Sequence, residues 1–285
     1  MASKAVSELR PVERNTLLYA ILVPAYNEEM HIDSTVRALA EELRREHIPF
    51  EMVIVNDNSS DRTRTVVDQL SREYPEINLV DNPPPGGFGR AVRCGLAHYH
   101  GDVLAIVMAD LSDSPRDVVR CYRKIEEGYD CVFGSRFLRG STVIHYPRLK
   151  LLINRMVNHG LRLLFATRHN DLTNAFKVYR RHVIDAISPL RAAHFNLTIE
   201  MSLSALIRQY RIAAIPINWS GRTWGQSNLR LREMGRRYLC TLLKVWFERL
   251  LILDDVMLDV DSSTVCSEDD LRNDTVSSPG DRPPV

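Results

Sequence analysis

Five short, almost continuous apolar runs, separated by stretches with helical spacing, constrain this 285-residue chain more than any other feature. They are Leu17–Val23, Phe50–Val55, Ile77–Val80, Val103–Ala109 and Cys131–Gly134. Runs of that length without polar alternation read as strands buried on both faces. Between them, apolar residues at helical spacing predict helices over Ile32–Leu43, Arg62–Tyr74, Arg90–His98 and Arg116–Glu127. Strand–helix alternation with short connections builds βαβ units, hence an α/β fold around a mostly parallel sheet flanked by helices. Ligands in such sheets bind beyond the carboxyl ends of the strands. The residues to inspect are therefore Pro24–Glu28, Asn56–Asp61, Asp110–Asp113 and Ser135–Arg136.

After Arg139 the pattern changes. Leu149, Leu152, Ile153, Met156, Val157, Leu161, Leu164 and Phe165 form an apolar helical stripe among Arg148, Lys150, Arg155 and Arg162. A second basic amphipathic stretch covers Leu229–Leu253. Such helices either pack on a core with their charges in solvent or lie in a membrane interface, basic side to anionic headgroups. Charge is segregated behind a formal total of +1: residues 254–285 carry nine acids and two bases, leaving 35 bases against 27 acids in the rest. The excess is local, with six bases and no acid from Arg139 to Asn170, and nine bases against two acids from Arg208 to Leu253. That distribution favours anionic partners such as phosphates or an anionic membrane face. The near-neutral total gives no sign of nucleic-acid binding. Five scattered cysteines without a CxxC pair argue against a disulfide framework and suit a reducing cytoplasm. No run nears the ~20 apolar residues of a membrane span, and MASKAVSELRPVERN lacks the apolar core of a signal peptide. The Ser/Asp/Pro-rich end predicts a disordered acidic tail.

Glu28 and Asp57, at the ends of adjacent strands, can accept hydrogen bonds from a ribose hydroxyl and a base N–H. A lone carboxylate there is usually a helix cap, as Asp61 ahead of its helix can be; several converging on one edge favour a nucleotide pocket. Asp110-Leu-Ser112-Asp113 offers hard oxygens of the kind that Mg²⁺ or Mn²⁺ accepts, with diphosphate completing the shell. Its plainer reading is a cap, with Pro115 in the first turn of the helix. Gly86-Gly87-Phe88-Gly89 opens a helix but lacks the third glycine of the dinucleotide fingerprint and follows the third strand. A nicotinamide-dependent dehydrogenase is disfavoured accordingly.

Taken in order, Val23-Pro24-Ala25-Tyr26-Asn27-Glu28, Val55-Asn56-Asp57-Asn58-Ser59-Ser60-Asp61, Gly87-Phe88-Gly89-Arg90-Ala91 and Ala109-Asp110-Leu111-Ser112 resemble the family 2 glycosyltransferases of the GT-A fold. Gly134-Ser135-Arg136-Phe137, Asp171–Arg180 and Arg222-Thr223-Trp224-Gly225-Gln226-Ser227-Asn228-Leu229 are similar to the dolichol-phosphate mannose synthase branch. The resemblance implies a transferase domain over 17–253, with a nucleotide-binding half (17–138) and an acceptor and membrane-interface half (139–253). An extension (1–16) precedes it and the tail (254–285) follows. It further implies that Pro24, Tyr26, Glu28, Val55 and Asp57 hold the nucleoside, and that Ala109 and Asp110 are the middle and last residues of the family's Asp-x-Asp. Asp110 then binds metal, Arg136 and Arg222 hold phosphates, and Asn228 stands where lysine is usual. Met108 replaces the first Asp of that motif, and a thioether is a poor ligand for Mg²⁺. Asp113, with Ser112, can supply the missing oxygen ligands.

The reaction so implied is a single inverting displacement, with Asp110 and Arg136 at the chemistry and a nucleoside diphosphate leaving. An anionic polyprenyl phosphate acceptor needs cations to hold it, whereas a hydroxyl acceptor needs a base, for which Asp171 is the candidate. A third reading, motivated by Met108, is a non-catalytic binder of nucleotide sugars. The expected partners are a nucleoside-diphosphate sugar, a polyprenyl-phosphate lipid and a membrane surface or membrane-bound subunit. The expected location is cytoplasmic and peripheral to the membrane.

Overall fold

The computed structural model describes residues 17–221 and 235–253. Six elements of a regular alternation come first: β1 (Tyr19–Ala25), α1 (Ile32–Arg45), β2 (Phe50–Asn56), α2 (Thr63–Glu73), β3 (Ile77–Asp81) and α3 (Phe88–Leu96). β4 (Val103–Ile106), α4 (Pro115–Glu126), β5 (Cys131–Ser135), β6 (Thr142–Ile144) and α5 (Arg148–Leu164) follow. The chain continues through β7 (Lys177–Arg180), α6 (Arg181–Ile187), α7 (Leu197–Ile207), β8 (Ile212–Pro216) and β9 (Asn218–Ser220). A last helix, α8, runs over residues 235–253.

Seven strands form one sheet in the order β3-β2-β1-β4-β7-β5-β8, and β6 pairs with β9 in a separate two-stranded ribbon. All five expected strands are present; the fourth stops at Ile106, three residues short of the apolar run that suggested it. The continuous apolar character has the expected cause. Along β1, Tyr19, Ile21 and Val23 enter the core under α1, α2 and α4, whereas Ala20 and Leu22 enter the core under α3 and α7. Both faces are covered, so no position is left for a polar residue.

One strand departs from the parallel pattern. β7 lies antiparallel between β4 and β5, while β5 pairs parallel with β8. The reversal carries the chain segment before β7 to the same sheet edge as the carboxyl ends of β1, β2, β4 and β5. The second amphipathic segment is only partly core: Thr241 and Val245 are buried, with Tyr238, Leu242 and Trp246 packed on the core. In α5 only Asn158 and Leu161 are buried. Most of its stripe faces outward, with Leu149 70%, Leu152 56% and Met156 66% exposed. Packing of the whole α5 stripe on the core is therefore not what the fold does.

Candidate active site

The expected nucleotide-side residues gather at one edge because β1 and β2 run in parallel register, Pro24 opposite Val55 and Ala25 opposite Asn56. The loops that follow clasp each other. Ser60 N donates to Asn27 Oδ1 at 2.8 Å, and Glu28 N donates to Thr63 Oγ1 at 2.8 Å. The cap position of α2 is Arg62, not Asp61; Asp61, one residue earlier, accepts from Thr63 N at 2.9 Å and from Glu29 N at 3.2 Å. Asn27, Asn58 and Leu111, one in each strand-end loop, are left-handed, with φ of 52°, 61° and 58°. Asparagine tolerates that region; leucine does so at a cost of roughly 1–2 kcal/mol. Glu28 is buried, whereas Tyr26 is exposed.

Asp57 ties β2 to the glycine turn. Its carboxylate accepts from Gly87 N at 2.8 Å and from Asn82 Nδ2 at 2.7 Å. Gly87 has φ 148°, and a Cβ there would lie 2.6 Å from Ala193 O. At Gly89 a Cβ would meet Ala192 O at 2.5 Å. The glycines thus serve a close backbone approach between the start of α3 and the 192–194 segment.

At the end of β4, Ala109 O accepts from Thr35 Oγ1 at 2.8 Å, and Asp110 Oδ1 accepts from Ser112 N at 3.2 Å. Asp113 is buried and accepts from Met108 N through Oδ2 at 3.1 Å. Its Oδ1 has no partner among the described residues. Burial raises its carboxyl to about 7, with the Met108 N–H and Arg136 opposing the rise and Asp110 adding to it. Ser114, not Asp113, is the cap position of α4. Among the described residues no three His, Cys, Asp or Glu side chains form a group able to hold a metal unaided. Asp110, Ser112 and the orphaned oxygen of Asp113 are hard oxygen donors of the kind a divalent cation takes, and a ligand such as diphosphate would have to complete its shell.

Arg136, just past β5, is the most tightly built residue of the edge. Its Nε and Nη2 donate to the two carboxylate oxygens of Asp171, each at 2.8 Å, and its backbone N donates to Asp171 Oδ2 at 3.0 Å. Both side chains are buried, 7% and 0% exposed. Burial works against the guanidinium's charge, and Asp171 more than offsets it. With its oxygens so engaged, Asp171 is a support for Arg136 and not a free base. Lys177, which no sequence argument singled out, lies wholly buried behind this pair, donating to Leu172 O at 3.1 Å and to Asn174 O. Burial lowers its ammonium to about 7. Asn158 was also missed; its only signal was a polar side chain inside an apolar helical stripe. Arg222 and Asn228 lie outside the described residues, as do residues 1–16 and 254–285.

Residues 20–188, more than half of the chain, match the family model described as Glycosyl transferase family 2. Polyprenol monophosphomannose synthase of Mycolicibacterium smegmatis is 25% identical over 234 residues, covering 80% of this chain and 85% of that protein. Dolichol-phosphate mannosyltransferase of Pyrococcus furiosus is 25% identical over 213 residues, covering 74% of this chain and 59% of that protein. Among solved structures, glucosyl-3-phosphoglycerate synthase of Mycobacterium tuberculosis with uridine diphosphate superposes at a TM-score of 0.62 and 20% identity, over 81% of this chain and 80% of that one. That enzyme has been crystallised with Mn²⁺ or with Mg²⁺ alongside uridine diphosphate. The family match runs through the very strands whose ends carry these clustered loops, and by it the chain belongs to the family 2 glycosyltransferases, sugar-transferring enzymes of the GT-A fold.

Proposed function

We propose that this enzyme moves a hexose from a nucleoside-diphosphate sugar to a polyprenyl phosphate at a membrane surface. The observation that carries the reading is Arg136, a buried cation that Asp171 fixes at the sheet edge, beside a helix with an exposed apolar face. Arg155 of that helix, α5, lies over the Phe137 ring at 5.5 Å, one residue from Arg136. The two named relatives act, by their names, on polyprenol or dolichol phosphate.

In this reading Tyr26 stacks on the base, Asp57 and Glu28 accept from base and ribose, and Pro24, Val55 and Ala109 shape the pocket wall. Arg136, with Arg222 by resemblance, holds phosphate oxygens. Asp110, Asp113 and Ser112 would hold Mg²⁺ or Mn²⁺, which supplies positive charge to a leaving diphosphate. An oxygen of the acceptor phosphate attacks the anomeric carbon as the bond from that carbon to the diphosphate oxygen breaks, with inversion. The nucleophile is already anionic, so no proton has to be removed. That suits an edge where Asp171 is engaged with Arg136. Preorganised charge, in place of a covalent intermediate, lowers the barrier.

α5 contains no acidic residue. Its exposed Leu149, Leu152, Met156 and Leu163 and the exposed Leu239, Leu243, Phe247 and Leu251 of α8 lie among Arg148, Lys150, Arg162 and Arg236. Apolar surface interleaved with bases suits an interface of anionic lipid. No helix among the described residues is long and apolar enough to cross a membrane, and in this reading the outward faces of α5 and α8 make the contact.

The test is transfer from GDP-mannose and UDP-glucose to polyprenyl phosphate, with the free polyprenol and phosphoglycerate as comparison acceptors. Product with the lipid phosphate and none with the free alcohol is expected. Absence of product with every donor sinks the proposal, and metal-independent binding without turnover would favour a non-catalytic role.

A further inference from the structure

Asn158 sits near the middle of α5, 1% exposed, in a helix that buries only one other residue. All four hydrogen-bonding positions of its amide are used. Oδ1 accepts from Leu172 N at 2.7 Å and Thr173 N at 3.3 Å, while Nδ2 donates to Asn154 O at 2.9 Å and Thr173 Oγ1 at 2.8 Å. A carboxamide has no further capacity. Burying one this completely yields little net stability, because each bond replaces one made to water. A leucine there would leave Leu172 N and Thr173 N without that acceptor, so the asparagine matters for how it holds this segment. What the asparagine offers over a leucine is geometry.

The segment it grips begins with Asp171, which holds Arg136. Thr173 Oγ1, the acceptor for Asn158, lies 3.4 Å from both Arg136 Nη2 and Asp171 Oδ1. The other side of the segment is held from the core. Lys177 Nζ donates to Leu172 O at 3.1 Å, and Asn174 Nδ2 donates to Gly134 O at 3.0 Å. Asp171 therefore has one seat, defined by α5 on one side and the sheet on the other, and Arg136 inherits its position from that seat.

We infer that Asn158 is a positioning residue: through Thr173 and Asp171 it sets the orientation of the Arg136 guanidinium toward phosphate. The inference rests on the reading of Arg136 given above and extends it to the helix that carries the exposed apolar face. Arg136 has already committed Nε and Nη2 to Asp171, so a small rotation of the pair redirects the donors that remain for a ligand. Displacements of about 1 Å at a reacting group can lower rates by roughly 100-fold.

The experiment compares wild type, Asn158→Leu, Arg136→Lys and the double variant, with Thr173→Val as a milder cut in the same chain of contacts. Each is measured for affinity toward GDP-mannose and UDP-glucose by calorimetry, for kcat and KM in transfer to polyprenyl phosphate, and for thermal unfolding. Asn158→Leu should lower kcat/KM roughly 100-fold with the same division between kcat and KM as Arg136→Lys. Added to Arg136→Lys it should lower it less than about threefold further, since residues acting through one contact are not additive. Losses that multiply, or an Asn158→Leu enzyme within threefold of wild type, overturn the inference. If Asn158→Leu does not fold, Thr173→Val decides in the same way, and its loss must also vanish on Arg136→Lys. A wild type that binds a sugar nucleotide yet transfers nothing to polyprenyl phosphate defeats the acceptor assignment alone. The cycle is then read in donor affinity, where multiplying losses still overturn the role of Asn158.

Discussion

A guanidinium and a carboxylate that are both out of solvent stabilise the fold only as a pair. Removing one leaves the other charge buried without a partner, at a cost of about 3–5 kcal/mol. Asp171→Asn should therefore lower stability by about that amount in urea titration and abolish most transfer. If Asp171 were a free base, activity would fall while stability stayed near wild type. His169 offers a separate check. Its ring packs edge-on against Phe133 at 5.6 Å, and its Nδ1 is buried without a partner among the described residues. Burial, with Arg168 and Lys177 nearby, lowers it to about 4. Between that value and the ordinary 6.5, the native ring binds fewer protons than the unfolded one, so its contribution is lost as the pH falls through this window. His169→Gln should flatten the stability decline between pH 6.5 and 4 relative to wild type, measured as the difference in urea midpoint at each pH.

At the level of elements, the start of α3 and the 192–194 segment approach so closely that the glycines between them cannot carry a methyl group. Gly89→Ala drives a Cβ to 2.5 Å from Ala192 O, a backbone atom that cannot swing away. The expected loss is about 1–3 kcal/mol, as for other overpacked sites. Weaker nucleotide affinity should accompany it, because the same turn donates Gly87 N to Asp57. The outward faces of α5 and α8 predict the opposite pattern. Leu152→Glu and Leu243→Glu alter exposed positions, so stability should move by less than about 0.5 kcal/mol. Flotation with anionic vesicles should drop sharply. Unchanged flotation would separate these faces from lipid contact.

For the molecule as a whole, the formal charge of +1 is the sum of a basic body and an acidic end. Attraction of a basic body to anionic vesicles is screened over about 10 Å at 0.1 M salt. Vesicle binding should therefore weaken as salt rises, and truncation before Asp254 should strengthen it at low salt if the acidic residues compete for the basic face. The strands and helices that build the nucleotide side were legible in the sequence because a strand buried on both faces, as Leu17–Val23 is, admits no other pattern. Tyr26, Glu28, Asp57 and Asp110 could be found for the same reason: each follows such a strand, and parallel strands end together. Asp171 meeting Arg136 was not legible, since the two are 35 residues apart and join only because β7 runs antiparallel between β4 and β5. The direction of a short strand depends on which neighbours compete for its hydrogen bonds, and that is settled by the whole sheet. The same holds for α5. Its apolar period is written in the sequence, but a helical period alone does not say which way the stripe faces. Asn158 is buried and Leu152 exposed because the segment before β7 had polar groups to be met and the sheet beneath was already covered by α3, α6 and α7.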